Sequence, residues 1–359
     1  MTERNEFKHL MHCGHGRCYY MLSENKELYK ELLLYGCTHD ISYDIQCEGS
    51  RAAFIYELVN EYDDKDIFIE KAAERIMSCE LETEETDSFY HLCDLMVCFE
   101  AEDILKQKYA QMYKSLMNTR VSRRHNDRLN AFDYLTEKLI RMGDIKAFEN
   151  IAADLGAYFI RRRRADIADL NWSFQRIFDT AVKKYGADIT QKINVRSKEL
   201  SRFSRVMSYK EEIKPYRTGF SYTADDEKIS PEQYKKAKEQ LLQYKEYDSD
   251  AAEIFIKGYS TEDESLLRDI LENLRIESRD MPYNNWHDIV LALIEKAEEG
   301  SLPDDVLFFI YENSLCSCCR SDAVKVMAER NILTEKIINE CMHDSNEKTR
   351  SIALKNSMI

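Results

Sequence analysis

Four of the eight histidines and four of the eleven cysteines of this 359-residue chain fall before residue 48. They are His9, His12, His15 and His39, with Cys13, Cys18, Cys37 and Cys47. Imidazole and thiolate are ligands that zinc prefers, and His12, Cys13, His15 and Cys18 make the tightest such set. Structural zinc sites pair short knuckles of the Cys-x2-Cys kind, however, and no matched pair is read here. A second chemistry draws on His15, the adjacent His39 and Asp40, and the more distant Asp94. Histidines and carboxylates around a divalent ion activate water as a nucleophile. A serine-hydrolase elbow, a Walker-type loop and a GxGxxG run are absent. A lone cysteine beside a lone histidine, as in Tyr90-His91-Leu92-Cys93, makes no nucleophile either. No catalytic residue, metal or other cofactor is assigned on this reading.

Cations gather in the middle of the chain. Residues 119–217 hold 22 Lys and Arg against 13 Asp and Glu, a net of +9 in a protein whose total is −15. Arg123, Arg124, Arg161, Arg162, Arg163, Arg164, Lys183 and Lys184 are the candidate binding residues of this belt. On successive helices they would meet a phosphate backbone through salt-dependent contacts, which makes DNA or RNA one partner to consider. Four consecutive arginines on a helix span about 300° at about 100° each, so Arg161 to Arg164 cannot form one stripe. Cations near a helix C-terminus are also favoured by the dipole, with no partner at all. Trp172, in the same stretch, is expected to pack between helices.

These residues need elements to hold them, and composition points to one kind. With 10 Gly and 4 Pro, the chain lacks the turn residues of a sandwich or barrel. Apolar content of 44% excludes a disordered chain despite 33% charged residues. Phe89, Leu92, Cys93, Met96 and Phe99 follow the spacing of one buried helical stripe. Phe148, Ile151, Ala152, Leu155 and Phe159 do likewise, as do Leu170, Phe174, Ile177, Phe178 and Ala181, and Val290, Leu293, Ile294 and Ala297. At about 11–12 residues per helix the chain should hold roughly 16–20 of them. The first proline is Pro215, and residues 213–231 read as a linker or long loop between helical blocks 1–212 and 232–359.

The opening MTERNEFKHL lacks the apolar core of a secretory signal, and no run of 18 apolar residues occurs. A cytoplasmic protein with reduced thiols and no membrane partner is expected.

Internal repetition is the most telling pattern. CGHGR (Cys13 to Arg17), CEGSR (Cys47 to Arg51) and CSCCR (Cys316 to Arg320) share a Cys-x-x-x-Arg frame. RSDAVK at Arg320 and RSIALK at Arg350 lie 30 residues apart, and Cys37-Thr38-His39-Asp40 recurs as Cys341-Met342-His343-Asp344. Periods of about 30 to 34 residues carrying two helices each mark stacked hairpins. In these features the chain resembles the HEAT/armadillo-like superfamily, in which an Asp lies in the turn between helices and Arg-x-x-Ala opens the second. Asp344 with Arg350 and Ala353 fits that pattern, and Arg320 with Ala323 fits half of it. The resemblance covers residues 5–80 and 285–359. It implies an all-α, right-handed α-solenoid that uses a concave face to bind another protein, without catalysis. Arg17, Arg51, Arg320, Arg350 and Asp344 would then stitch adjacent repeats through turn carboxylates and carbonyls.

His15, His39, Asp40 and Asp94 are also similar in type and order to the ligands of HD-type phosphohydrolases, which are all-helical and metal-dependent. Against that reading, Cys-x-His-Asp recurs at Cys341 to Asp344, and a catalytic pair needs no duplicate. The expected function is a non-enzymatic helical-repeat scaffold for a protein partner. The alternatives are nucleic-acid binding through 119–217 and a metal-dependent phosphohydrolase.

Overall fold

Apolar stripes at helical spacing bury one face of each segment, and helices follow wherever they occur. The computed structural model describes residues 2–43, 48–79, 86–118, 126–162, 165–193, 197–209, 229–243, 248–277 and 283–357. Among the described residues there are 21 α-helices and no strand. In the first third these are α1 (Glu3–Cys13), α2 (Arg17–Glu24), α3 (Lys26–Thr38), α4 (Ala52–Val59), α5 (Asp66–Ser78), α6 (Thr86–Cys98) and α7 (Glu102–Asn118). The middle holds α8 (Asn126–Met142), α9 (Ile145–Arg161), α10 (Ile167–Ser173), α11 (Gln175–Tyr185), α12 (Ile189–Ile193) and α13 (Lys198–Met207). The last third holds α14 (Pro231–Gln243), α15 (Ser249–Lys257), α16 (Glu264–Glu277), α17 (Tyr283–Glu298), α18 (Asp304–Asn313), α19 (Ser317–Glu329), α20 (Glu335–Cys341) and α21 (Glu347–Asn356). The number exceeds the expected 16–20 because α2, α4, α10, α12 and α20 run for only 5 to 8 residues.

The chain divides into two compact units. One comprises Met1–Lys30, Ile41–Phe54 and Phe220–Ile359; the other comprises Glu31–Asp40 and Ile55–Gly219. The expected blocks 1–212 and 232–359 differ from this division, since N-terminal residues group with the C-terminal ones. Of the expected linker 213–231, residues 213–228 lie outside the described residues.

In the first unit α15 packs on α17, α17 on α19 and α19 on α21, while α16 packs on α18, α18 on α19 and α20 on α21. α15, α16, α17 and α19 therefore each meet the helix two places further on. The shared core runs from Ala237 through Phe255, Leu293 and Val324 to Ala353. α2 packs on α20, so the start and end of the chain meet within this unit.

In the second unit α6 packs on α8, α8 on α11 and α9 on α13. Its core is aromatic: Phe203 lies 5.6 to 6.3 Å from the ring centres of Phe148, Phe159 and Phe178. Asp144 caps α9 through its side chain, and the helix ends at Arg161, so Arg162 is its C-cap rather than a helical residue. The stripe from Leu170 to Ala181 is buried as expected but is split between α10 and α11 at Phe174.

Candidate functional site

The residues singled out as chemistry are spread over several places, and one of these is a dense polar node in the first unit. It forms where the Gly-flanked turn between α1 and α2 meets the turn after α20. Gly14 ends α1 at φ +66°, a left-handed conformation that glycine adopts freely. A Cβ on Gly16 would lie 1.8 Å from the carbonyl oxygen of Glu340, so only glycine permits this approach.

Arg320 is the hub. It is fully buried and donates to both carboxylate oxygens of Asp344, at 2.7 and 3.2 Å. It also donates to the carbonyls of Cys13, Gly14 and Ser314 at 2.8, 3.1 and 3.3 Å. Burial acts against the guanidinium charge, but Asp344 more than offsets it, and the Arg320 pKa is raised above its ordinary value. Arg17 donates to Glu340 at 2.9 Å and to Glu312 at 2.6 Å, and Tyr311 donates to the same Glu340 at 2.7 Å. Arg51 donates to Ser345 Oγ at 2.7 Å and to Glu48 at 2.8 Å. Arg350 donates to the carbonyl of Asp344 at 2.6 Å. The four repeat arginines and Asp344 thus meet at one junction, bridging sequence separations as large as 323 residues.

His12, Cys13, His15 and Cys18 lie in the same unit as this node. His15 Nδ1 accepts from the Arg17 N–H at 3.1 Å, and its ring meets Tyr311 edge-on. Burial first, then the charges of Arg320 and Arg17, hold its pKa well below the ordinary value. Burial likewise lowers His12 and pushes the Cys13 thiol up to about 11. Burial raises Cys18 as well, and its thiol points at the Phe7 carbonyl at 3.8 Å. His12, Cys13, His15 and Cys18 do not place three donor atoms within reach of one ion. Cys47 lies outside the described residues.

Three members of the phosphohydrolase set, His39, Asp40 and Asp94, belong to the second unit and His15 to the first. His39, just past the end of α3, stacks on Tyr35 of that helix at 4.2 Å, and the Asp40 N–H donates to Ser88 Oγ. Asp94 is 2.7 Å from Lys138 and accepts from the Tyr134 hydroxyl at 2.8 Å. His39, Asp40 and Asp94 do not converge on one point. His343, in the matching Cys-x-His-Asp segment of the first unit, stacks on Tyr19 at 3.7 Å.

The basic belt is only partly free. Lys184 donates to the carbonyls of Ile140, Arg141 and Gly143 and so caps the C-terminus of α8. Arg162 lies over the Tyr158 ring at 5.2 Å. Arg161 and Lys183 are exposed. Arg123, Arg124, Arg163 and Arg164 lie outside the described residues. Trp172 corrects an expectation: it is 73% exposed rather than packed between helices. Two residues at about 100° each place it roughly opposite Leu170, the residue by which α10 is anchored in the core.

One cluster escaped the sequence reading. Cys316 is the N-cap of α19, Cys319 sits in its first turn, and His287 lies in the first half of α17, which packs on α19. Donor atoms of His287, Cys316 and Cys319 all lie within 4.8 Å of one another. Hydrogen bonds from the Cys318 and Cys319 thiols pull the Cys316 thiol well below its ordinary pKa. The signal was the Cys-x2-Cys step inside CSCC, hidden by taking Cys316 as the start of a Cys-x-x-x-Arg repeat frame.

Compared with known proteins, the chain matches no family model, no curated protein sequence and no solved structure. Fold and site together define an all-α protein whose four repeat arginines are engaged in its own packing, with no helix among the described residues long and apolar enough to cross a membrane.

Proposed function

We propose that this chain is a non-enzymatic helical-repeat scaffold that binds a protein partner, with its C-terminal helices stacked as HEAT/armadillo-like hairpins. The observation that carries the reading is Trp172, a large apolar side chain left 73% in water within the cationic middle of the chain. Tryptophan and arginine dominate the energetics of protein interfaces, and burying one indole removes a large apolar surface from water. The succession α15, α17, α19 and α21 supports the repeat architecture, because stacked hairpins need contacts between every second helix. Use of the repeat arginines and Asp344 inside the molecule supports the absence of catalysis.

The test is affinity capture of the full chain under mild cross-linking, compared with Trp172→Ala and with Lys183→Glu. A partner retained by the native chain and lost from Trp172→Ala supports the reading; equal capture by both contradicts it.

A second reading has one observation in its favour. A groove of about 340 Å³ in the second unit is lined by Thr190, Gln191, Ser201, Ser204, Arg205 and Ser208. Hydroxyls, amides and arginine are the groups that contact phosphates and sugars. Polarisation of a labelled RNA or DNA oligonucleotide across ionic strength decides it: absence of binding at low salt removes nucleic acid as a ligand.

A further inference from the structure

Beyond the scaffold reading, the first unit contains a thiol–imidazole cluster that nothing above uses. We infer that His287, Cys316 and Cys319 are three ligands of a zinc-type divalent ion that ties the start of α17 to the start of α19. A tetrahedral ion about 2.3 Å from sulfur and about 2.1 Å from nitrogen sets those two donors roughly 3.6 Å apart. The observed separation of Cys319 Sγ and His287 Nδ1 is 3.5 Å. All three donor atoms meet within 4.8 Å. Two sulfurs and one nitrogen suit zinc and exclude magnesium or calcium, which take oxygen.

The surroundings favour a cation bound by thiolates. Cys316 and Cys319 are 3% and 2% exposed, so an ion there would be shielded from water. The N-terminus of α19 stabilises anionic sulfur. Glu48, paired with Arg51, accepts a hydrogen bond from the Ser317 N–H at the same helix start. Ligation exchanges two S–H bonds for two metal–sulfur bonds, and both protons leave to solvent. Nδ1 binds the ion with the ring neutral and its proton on Nε2. Three protein donors leave one of the four tetrahedral positions open. Cys318 is half-buried, accepts from Asn346 Nδ2 at 3.7 Å, and is not one of the three residues whose donor atoms all lie within 4.8 Å of one another.

The experiment uses the full-length protein, reduced with a phosphine, and titrates it with Co²⁺ and then Zn²⁺. One equivalent of cobalt should produce thiolate-to-cobalt charge-transfer absorption and the visible bands of a tetrahedral ion, and zinc should abolish both by displacement. Cys316→Ser combined with Cys319→Ser should lose the signal entirely. His287→Ala should weaken it at least ~10-fold, and Cys318→Ser should keep it. Should the double variant fold poorly, alkylation of the native chain decides the matter. Under partly denaturing conditions that open the metal-free chain, zinc should protect Cys316 and Cys319 from iodoacetamide, mapped by peptide mass, and leave the partly exposed Cys98 reactive. Absence of charge transfer at equimolar cobalt, no protection by zinc, or bands that survive loss of both cysteines would each overturn the assignment.

Discussion

The unit formed by Met1–Lys30, Ile41–Phe54 and Phe220–Ile359 closes on Arg320 and Asp344, opposite charges whose side chains are 0% and 1% exposed. The unit formed by Glu31–Asp40 and Ile55–Gly219 closes on rings, with Phe148, Phe159 and Phe178 around a fully buried Phe203. Rings fill volume and tolerate many neighbours, whereas a buried guanidinium accepts only a particular set of oxygens. Glu312, Glu340, Asp344 and the carbonyls of Cys13 and Gly14 supply such a set for Arg17 and Arg320. Charge therefore specifies which segments meet where the chain's two ends must find each other, and rings suffice where helices follow one another closely in sequence.

That contrast can be broken at several points, here from the largest effect downward. Asp344→Leu leaves Arg320 buried without its carboxylate and should cost about 3–5 kcal/mol in denaturant unfolding. Phe203→Ala should cost a comparable ~3–5 kcal/mol through the cavity it leaves, and this loss should not change with added salt. Gly16→Ala forces a methyl group against the Glu340 carbonyl and should cost about 1–3 kcal/mol, read as a lowered unfolding midpoint.

A pH experiment sharpens the comparison. Asp133 accepts from the Ile177 N–H at 3.3 Å and serves as a cap for α11, whose own N-cap residue provides none. Burial pushes its pKa up from 3.8 to about 7, with the α11 N–H groups and Arg176 opposing. Raised in the folded state, this group contributes stability that is complete below about pH 4 and is lost as pH rises through about 7. Asp133→Asn keeps the accepting oxygen without the titration. The native chain should therefore lose stability relative to Asp133→Asn between about pH 4 and pH 8. The smallest effect belongs to Trp172→Ala, which should shift unfolding by no more than about 0.5 kcal/mol because the side chain stands in water.

Much of the fold was legible because it is local. The stripes at Phe148, Ile151, Ala152, Leu155 and Phe159, and at Val290, Leu293, Ile294 and Ala297, are buried as their spacing implied. Arg320 and Arg350 hold the same fourth position in α19 and α21, which is why their 30-residue period could be seen. Contacts between distant residues leave no period. Arg17 finds Glu340 across 323 residues, and Gly16 is glycine on account of a carbonyl at the far end of the chain. Trp172 was misjudged because hydrophobicity alone says a side chain gains by burial, not that its helix turns it inward. The cluster of His287 with Cys316 and Cys319 was missed because one residue pattern, CSCC followed by Arg, fits both a repeat frame and a metal knuckle.

The most direct measurement is a double-mutant cycle on the buried pair, with Arg320→Met, Asp344→Leu and the two combined, each followed by equilibrium unfolding. If charge specifies the junction of the chain's ends, each single change should destabilise by about 3–5 kcal/mol, and the combined change should recover most of that loss. Losses that simply add, or single changes that leave unfolding untouched, would mean that the arginine and aspartate are not partners in the fold.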